Sequence, residues 1–347
     1  MIESLGIRER SEAREEGLSP FAARSRHSRG RERPEEPCPM RTAFQRDRDR
    51  ILYSKAFRRL KHKTQVFIAP LGDHYVTRLT HTLEVAQVAR SMSRALILNE
   101  DLAEAISLGH DLGHTPFGHV GEETLNRLCT DGFRHNEQSL RVVDLLENNG
   151  HGLNLTWEVR EGILRHSKGK ADVLGPGWGD VSSVEAELCK IADVVAYINH
   201  DAADAIRAGI ISESDIPPLV STTLGGSISE RINTTIADIV EHSWAATGAT
   251  GTADRPVIGM SPLVLDAVNL FRQFLFERVY EPSARQEGSL HAMRVVSNLF
   301  NHFTHHPADL PQEFAERADK LERKVADYIA CMTDYYALRK GDELVQS

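Results

Sequence analysis

Residues 78–98 read RLTHTLEVAQVARSMSRALIL. Val85, Val88, Ala89, Met92 and Leu96 recur at intervals of three and four, which gathers them into one apolar stripe of a helix. The spacing predicts a helix over residues 78–98, with His81 near its start. The same period continues on both sides. Leu52, Ala56 and Leu60 stand at i, i+4, i+8. A second helix is predicted from an N-cap at Asp101 to Asp111, with Leu102, Ala105, Ile106 and Leu108 inward. Gly113 stops it, and residues 115–118 make a turn before a helix containing Leu125 and Leu128. A long helix from about Ser183 to Ala208 turns Leu188, Ile191, Val195 and Ile198 to a core. Further helices are predicted around 261–280, 288–304 and 311–338. Val66, Phe67 and Ile68 read as a short strand or loop before a turn at residues 70–73. The glycine-rich stretches 168–180 and 245–256 read as surface loops. There is no internal repeat, no βαβ alternation and no glycine-rich phosphate loop, so the fold class is all-α.

The chain has 347 residues, enough to bury a substantial core. With 41 basic and 50 acidic side chains the formal charge is -9, which argues against a constitutive nucleic-acid coat but not against a local basic site. Cys38, Cys129, Cys189 and Cys331 are scattered without a CxxC pair, so a disulfide scaffold or zinc ribbon is not expected. There is no N-terminal apolar stretch and no membrane-spanning run. The expected location is the cytoplasm, with no membrane partner. Three regions are expected: a charged N-terminal arm over 1–45 with Pro34, Pro37 and Pro39, a core over 46–210, and a helical C-terminal region over 211–347 packed on that core.

Chemistry concentrates at His110-Asp111, followed by Gly113 and His114. Adjacent helical residues point about 100° apart, so the pair serves one ion only near a helix end, where Gly113 puts it. An imidazole beside a carboxylate suits a divalent cation. A lone His-Asp dipeptide is common, but His81 and Asp193 sharpen it. Asp193 interrupts an apolar run (Ile191, Ala192, Val194, Val195), which is costly unless the carboxylate is paired or metal-bound. Asp193, Tyr197 and Asp201 at i, i+4, i+8 stack polar groups on one helix face.

His81…His110-Asp111…Asp193 resembles the H…HD…D signature of HD-domain phosphohydrolases. The flanking text is similar to bacterial deoxyguanosine triphosphate triphosphohydrolases and their dGTPase-like relatives. The matching stretches are residues 46–50 (RDRDR), 56–66 (AFRRLKHKTQV), 77–86 (TRLTHTLEVA), 110–119 (HDLGHTPFGH), 133–136 (FRHN) and 155–159 (LTWEV). The resemblance spans nearly the whole chain and weakens after about residue 210. It implies a multi-helix HD-domain fold with a helical C-terminal extension, and hydrolysis of a dNTP to deoxynucleoside and inorganic triphosphate. By resemblance His81, His110, Asp111 and Asp193 hold one divalent metal ion, with Mn, Mg, Fe, Co and Ni undistinguished and further Mg carried by the triphosphate. His119 with Glu122 forms the acid/base dyad, and His114 and His135 contact phosphates. Tyr197 lies near the sugar, Asp201 bonds the 3′-hydroxyl, and Gln65 stands near sugar or base. Arg78, Lys190, Arg58 and Arg59 are the cations considered for the outer phosphates, Arg78 first because it lies one turn before His81.

The arm arginines Arg24, Arg26, Arg29, Arg31 and Arg33 allow two readings: a binding segment for phosphate, single-stranded nucleic acid or an effector dNTP, or a solvated arm paired with Glu32, Glu35 and Glu36. His166, at a helix end, is left open. A homo-oligomer is expected. Two other functions compete. A phosphodiesterase on another nucleotide would usually carry a lysine after the HD glycine and an extra adjacent His pair; here His114 follows Gly113 and the pair His305-His306 lies past Asp193, a poor match. A silent nucleotide- or nucleic-acid-binding regulator would not need every ligand and the dyad intact.

Overall fold

The structure, a computed structural model, describes residues 6–67, 75–167, 172–175, 178, 180–251 and 254–346. In chain order the helices are α1 (Ile7–Glu15), α2 (Ala43–Leu52), α3 (Lys55–Arg59), α4 (Arg78–Ala95), α5 (Glu100–Gly109), α6 (Gly118–Leu128), α7 (His135–Arg141), α8 (Glu147–Gly150) and α9 (Trp157–Arg165). They are followed by α10 (Val184–Arg207), α11 (Pro218–Leu224), α12 (Ile228–His242), α13 (Pro262–Leu275), α14 (Glu281–Ala284), α15 (Glu287–His305), α16 (Gln312–Ala315), α17 (Leu321–Ala330) and α18 (Asp334–Gln346). Among the described residues no sheet forms; only the isolated bridges Arg31–Thr156 and Thr64–Thr77 occur. Val66 and Phe67 lie in bends rather than a strand. Ile68 and the turn expected at 70–73 fall outside the described residues, as does part of the 168–180 loop. No described helix is long and apolar enough to cross a membrane.

Helices α4, α5 and α10 form the centre, with α2 and α9 against α5. The stripe of α4 is buried as its spacing requires, Ala89, Met92 and Leu96 completely. Met92 and Leu96 each contribute roughly 1.5–3 kcal/mol by that burial. The start of α5 differs from expectation. Asn99, not Asp101, is the cap, its side chain accepting from the Leu102 N–H at 3.1 Å. Asp101 is instead held from outside the helix, by Gln45 at 2.8 Å and Arg48 at 3.1 Å. The helix predicted over 311–338 is three pieces, α16, α17 and α18, with breaks before Leu321 and Asp334.

A second apolar cluster is distinct from the centre. Phe117, Leu125 and Phe133 pack with Val296, Phe300 and Phe303 of α15 and with Val325 and Ile329 of α17. The helix carrying His119 and Glu122 is therefore seated on the C-terminal helices rather than on the α4/α5/α10 core.

The arm is ordered against the body. Residues 7–15 are helical, which the dense charge of the arm did not suggest. Arg31 pairs with fully buried Asp47 and donates to the Asn154 and Ala43 carbonyls at 2.6 and 3.1 Å. Glu158 accepts from the Arg29 N–H and the Ser28 hydroxyl, each at 2.7 Å, while Arg29 lies 3.5 Å over the Trp157 ring. Arg26 faces Glu12 and Glu16, Arg24 donates to the Leu18 carbonyl at 3.2 Å, and Arg33 donates to the His151 carbonyl at 2.7 Å. Glu35 is 2.8 Å from Arg31 and Glu32 pairs with Arg160, so these arginines serve internal contacts.

Candidate metal centre and active site

His110 and Asp111 lie in the turn just past α5, whose last residue is Gly109. Gly113 makes this turn possible, because a Cβ there would stand 2.1 Å from the Ser139 nitrogen. Ser139 of α7 closes the contact: its hydroxyl donates to the His110 carbonyl at 2.6 Å and accepts from the Gly113 N–H at 2.9 Å. The HD turn and the start of α7 are thereby one unit.

The four expected ligands converge. His110 Nδ1 donates to the Ser107 carbonyl at 2.6 Å, which leaves a lone pair on Nε2. That atom is 3.3 Å from His81 Nε2, 3.4 Å from Asp111 Oδ1 and 3.9 Å from Asp193 Oδ1. His81 Nε2 is 3.2 Å from Asp193 and 3.7 Å from Asp111. Two imidazole nitrogens and two carboxylates facing one point form a donor set that fits a divalent cation, with His81, His110 and Asp111 grouped closely enough to share it. A lone pair on His81 Nε2 requires the proton on Nδ1, which His200 Nε2 receives at 2.9 Å; His200 Nδ1 is 2.8 Å from Asp201 Oδ1. His200 and Ser107 thus orient the ligands from behind. Burial opposes ionisation of Asp111, but the charges of His110, when protonated in the absence of a cation, and of Arg78 outweigh it and hold the carboxyl well below its ordinary value. At Asp193 burial is likewise opposed, here by a hydrogen bond that a protonated His81 makes through Nε2 before any cation takes that lone pair, and the pKa falls to about 2.

The second group adjoins the first. His114 stacks on His135 with centroids 4.2 Å apart, and its Nε2 is 3.6 Å from Asp111. Glu122 faces His135 Nδ1 at 2.9 and 3.0 Å and accepts the His135 backbone N–H at 2.8 Å; His119 Nδ1 is farther, at 3.4 Å. His166 Nδ1 donates to the Ile163 carbonyl at 2.7 Å, so its Nε2 can only accept. His135 Nε2, 3.1 Å away, must supply that proton, while its Nδ1 must supply another to Glu122. His135 is therefore an imidazolium. Burial lowers its pKa, but the Glu122 charge prevails and the net shift is upward. Burial raises that of Glu122, and His135 prevails there too, holding the carboxyl well below its ordinary value. His166, buried beside His110 and His135, is pushed down to about 3 and is neutral. The His119 side chain is 75% exposed, free to meet a ligand.

The expected substrate residues divide. Arg78 is buried, with Nη1 on Asp111 at 2.5 Å, and its Nε and Nη2 have no partner. The Gln65 backbone passes the same glycine as Arg78: a Cβ on Gly118 would stand 3.0 Å from the Gln65 main-chain carbonyl and 3.3 Å from Arg78 Nη2. Gln65 Oε1 and His114 Nδ1 are also unpartnered. Tyr197 and Asp201 are already engaged, the phenol accepting from Arg272 Nε at 2.8 Å and the carboxylate accepting from the Tyr280 hydroxyl at 2.6 Å. Lys190 is held elsewhere: it is buried, donates to the Trp178 carbonyl and lies 4.9 Å from that ring. Arg58 is exposed on α3, and Arg59 lines another cavity, of about 300 Å³, with Lys55, Asn149 and Arg317. The resemblance to the HD family runs on over residues 193–201 and so included His200 but gave it no role, the sequence left His166 unassigned, and Arg272 and Tyr280 were missed. The position of His200 beside Asp201 could have suggested its role; Arg272 and Tyr280 carry no local signal.

Two family profiles match the chain, the HD domain over residues 78–198 and the phosphohydrolase-associated domain over residues 258–343. The deoxyguanosinetriphosphate triphosphohydrolase-like protein of Caldanaerobacter subterraneus subsp. tengcongensis is 54% identical, covering 94% of this chain and 92% of that one. Its namesake from Desulfatibacillum aliphaticivorans is 48% identical and covers 97% of both chains. With His81, His110 and Asp111 grouped closely enough to share a cation and this likeness along almost its full length, the chain belongs to the deoxyguanosinetriphosphate triphosphohydrolase-like family of HD-domain phosphohydrolases.

Proposed function

We propose that the protein hydrolyses deoxynucleoside triphosphates to deoxynucleoside and inorganic triphosphate. The observation that carries this reading is the buried Arg78 guanidinium, bound to Asp111 on one side and with Nε and Nη2 unpartnered on the other. Buried unpaired donors are costly, and a polyphosphate oxygen satisfies them in the bidentate manner that suits arginine. His81, His110, Asp111 and Asp193 would hold a divalent cation, which when bound supplies charge neutralisation at the reacting phosphate.

The remaining chemistry belongs to the chain's own groups. Water attacks the α-phosphorus, the new P–O bond forms and the bond to the 5′ oxygen breaks. His119, exposed and 3.4 Å from Glu122, delivers the proton that the 5′ oxygen needs to leave. The His135 imidazolium offers fixed positive charge to the phosphates, and neutral His114 offers a hydrogen bond. Gln65 meets the sugar or base, Asp201 accepts from the 3′-hydroxyl, and Tyr197 packs beside the ribose.

The test is incubation with each of the four dNTPs in Mn or Mg and separation of the products. Deoxynucleoside with intact triphosphate supports the reading. Nucleoside monophosphate with pyrophosphate as the products refutes it.

A further inference from the structure

Asp334, the first residue of α18, binds both segments that bring substrate-facing groups to the site. Its Oδ1 accepts from the Phe117 N–H at 2.9 Å, one residue before α6 with His119 and Glu122. Its Oδ2 accepts from the Thr64 N–H at 2.9 Å and from the Thr64 hydroxyl, one residue before Gln65. Beside it the buried Lys63 ammonium donates to the His114 carbonyl and, at 2.7 Å, to the Ala330 carbonyl at the end of α17. The junction of the last two helices is thus bonded to residues 63–64 and to the 114–117 loop at four points.

Within the second loop the Thr115 hydroxyl donates to the Gly118 carbonyl at 2.9 Å, but the backbone at the start of α6 needs more than that. Phe117 adopts a positive φ of 63°, a region that L side chains rarely occupy without outside support, and Gly118 follows at 57°, which glycine tolerates. No side chain caps the start of α6, and Phe117 itself is anchored in the apolar cluster formed with α15 and α17.

We propose that Asp334 is a positioning residue of the active site, one carboxylate oxygen setting the start of α6 and the other setting Gln65. The C-terminal region on this account completes the site rather than flanking it. The assignment of His119 to turnover and Gln65 to substrate binding rests on the reading above; the two-loop clamp does not. Its consequence is a split by oxygen atom. Loss of the Thr64 hydroxyl contact should act on substrate affinity through Gln65, whereas loss of both oxygens should also displace His119 and lower turnover.

The experiment uses the full chain with Asp334→Ala, Asp334→Asn and Thr64→Val, and with Asp342→Asn, an exposed acid on the same helix, as control. For each, kcat, KM, metal per chain and amide hydrogen exchange of peptides spanning 63–65 and 114–118 are measured. Asp334→Ala should lower kcat by about 10- to 10²-fold, as misplacement of a reacting group by about 1 Å does. Metal content should stay at the wild-type level and exchange should rise in both peptides. Thr64→Val should raise KM several-fold at nearly constant kcat and raise exchange in 63–65 alone. Asp334→Asn, which keeps an acceptor oxygen, should fall between them, and the control should match wild type. Wild-type kcat and KM in Asp334→Ala, or unchanged exchange in both peptides, would overturn the proposal. So would parallel loss of metal and helical signal in Asp334→Asn, which would mark a general folding role. If Asp334→Ala does not fold, Asp334→Asn and Thr64→Val decide alone. Failure of the wild type to turn over any dNTP would strike the substrate reading only, since exchange still decides the clamp.

Discussion

Glu122 and His135 form a closed ion pair, the carboxylate meeting both the ring Nδ1 at 2.9 Å and the backbone N–H at 2.8 Å of the same residue. His119, expected as the partner of Glu122, is its weaker contact. Glu122 therefore holds two imidazoles, one charged and buried, one exposed.

The pair has a pH signature whose sign follows from the two shifts. The Glu122 pKa is depressed, so its contribution to stability is complete above the ordinary glutamate value of about 4.3 and is lost as pH falls through the depressed one. The His135 pKa is raised, so its contribution is complete below about 6.5 and is lost as pH rises through the raised one. The difference in unfolding free energy between wild type and Glu122→Gln should be largest between these limits and shrink on both sides. A difference that is flat from acid to alkaline pH would contradict the pair.

His119→Ala should lower turnover by about 10²-fold or more, since proton transfer typically contributes 10²–10⁴-fold. Metal content should be unchanged, because His119 lies outside the ligand set. Glu122→Gln should lose turnover comparably, and the double variant should be little worse than His119→Ala. Steady-state kinetics with metal analysis checks this; near-normal turnover in His119→Ala would transfer the proton to another group.

Arg78→Lys keeps a charge near Asp111 but removes the planar fork. It should lower kcat/KM by on the order of 10-fold, with metal still bound. An unchanged kcat/KM would show that the unpartnered Nε and Nη2 do not meet the phosphates.

Asp47→Ala tests the arm. Asp47 is fully buried, with its carboxylate shared between Arg31 and the Thr156 N–H (2.7 Å) and hydroxyl (2.6 Å). Removing one partner of such a pair should cost about 3–5 kcal/mol in urea unfolding. A cost below about 1 kcal/mol would mean that the arm adds little to the fold.

Much of the centre was legible because helices print their period. The α4 stripe and the turn closed by Gly113 follow from spacing, whereas His81 on α4, His110 and Asp111 past α5 and Asp193 on α10 were grouped as a ligand set by their resemblance to the HD signature. What escaped depends on distant contacts. His166 meets His135 across 31 positions, and nothing near either residue announces the other. Asn99 displaced Asp101 as the α5 cap because Arg48 and Gln45 claim Asp101 from α2. The helix expected over 311–338 is interrupted before Asp334, where a carboxylate is needed by Thr64 and Phe117. An apolar period cannot register a break made for a contact more than two hundred residues away.

The central claim is attack on the α-phosphorus of a dNTP, and isotopic water tests it most directly. Turnover in ¹⁸O-water, followed by mass analysis of both products, should place one ¹⁸O in the inorganic triphosphate and none in the deoxynucleoside. Asp111→Ala, lacking a cation ligand, should form neither product. Label in the deoxynucleoside, or pyrophosphate and monophosphate as the only products, would contradict the account.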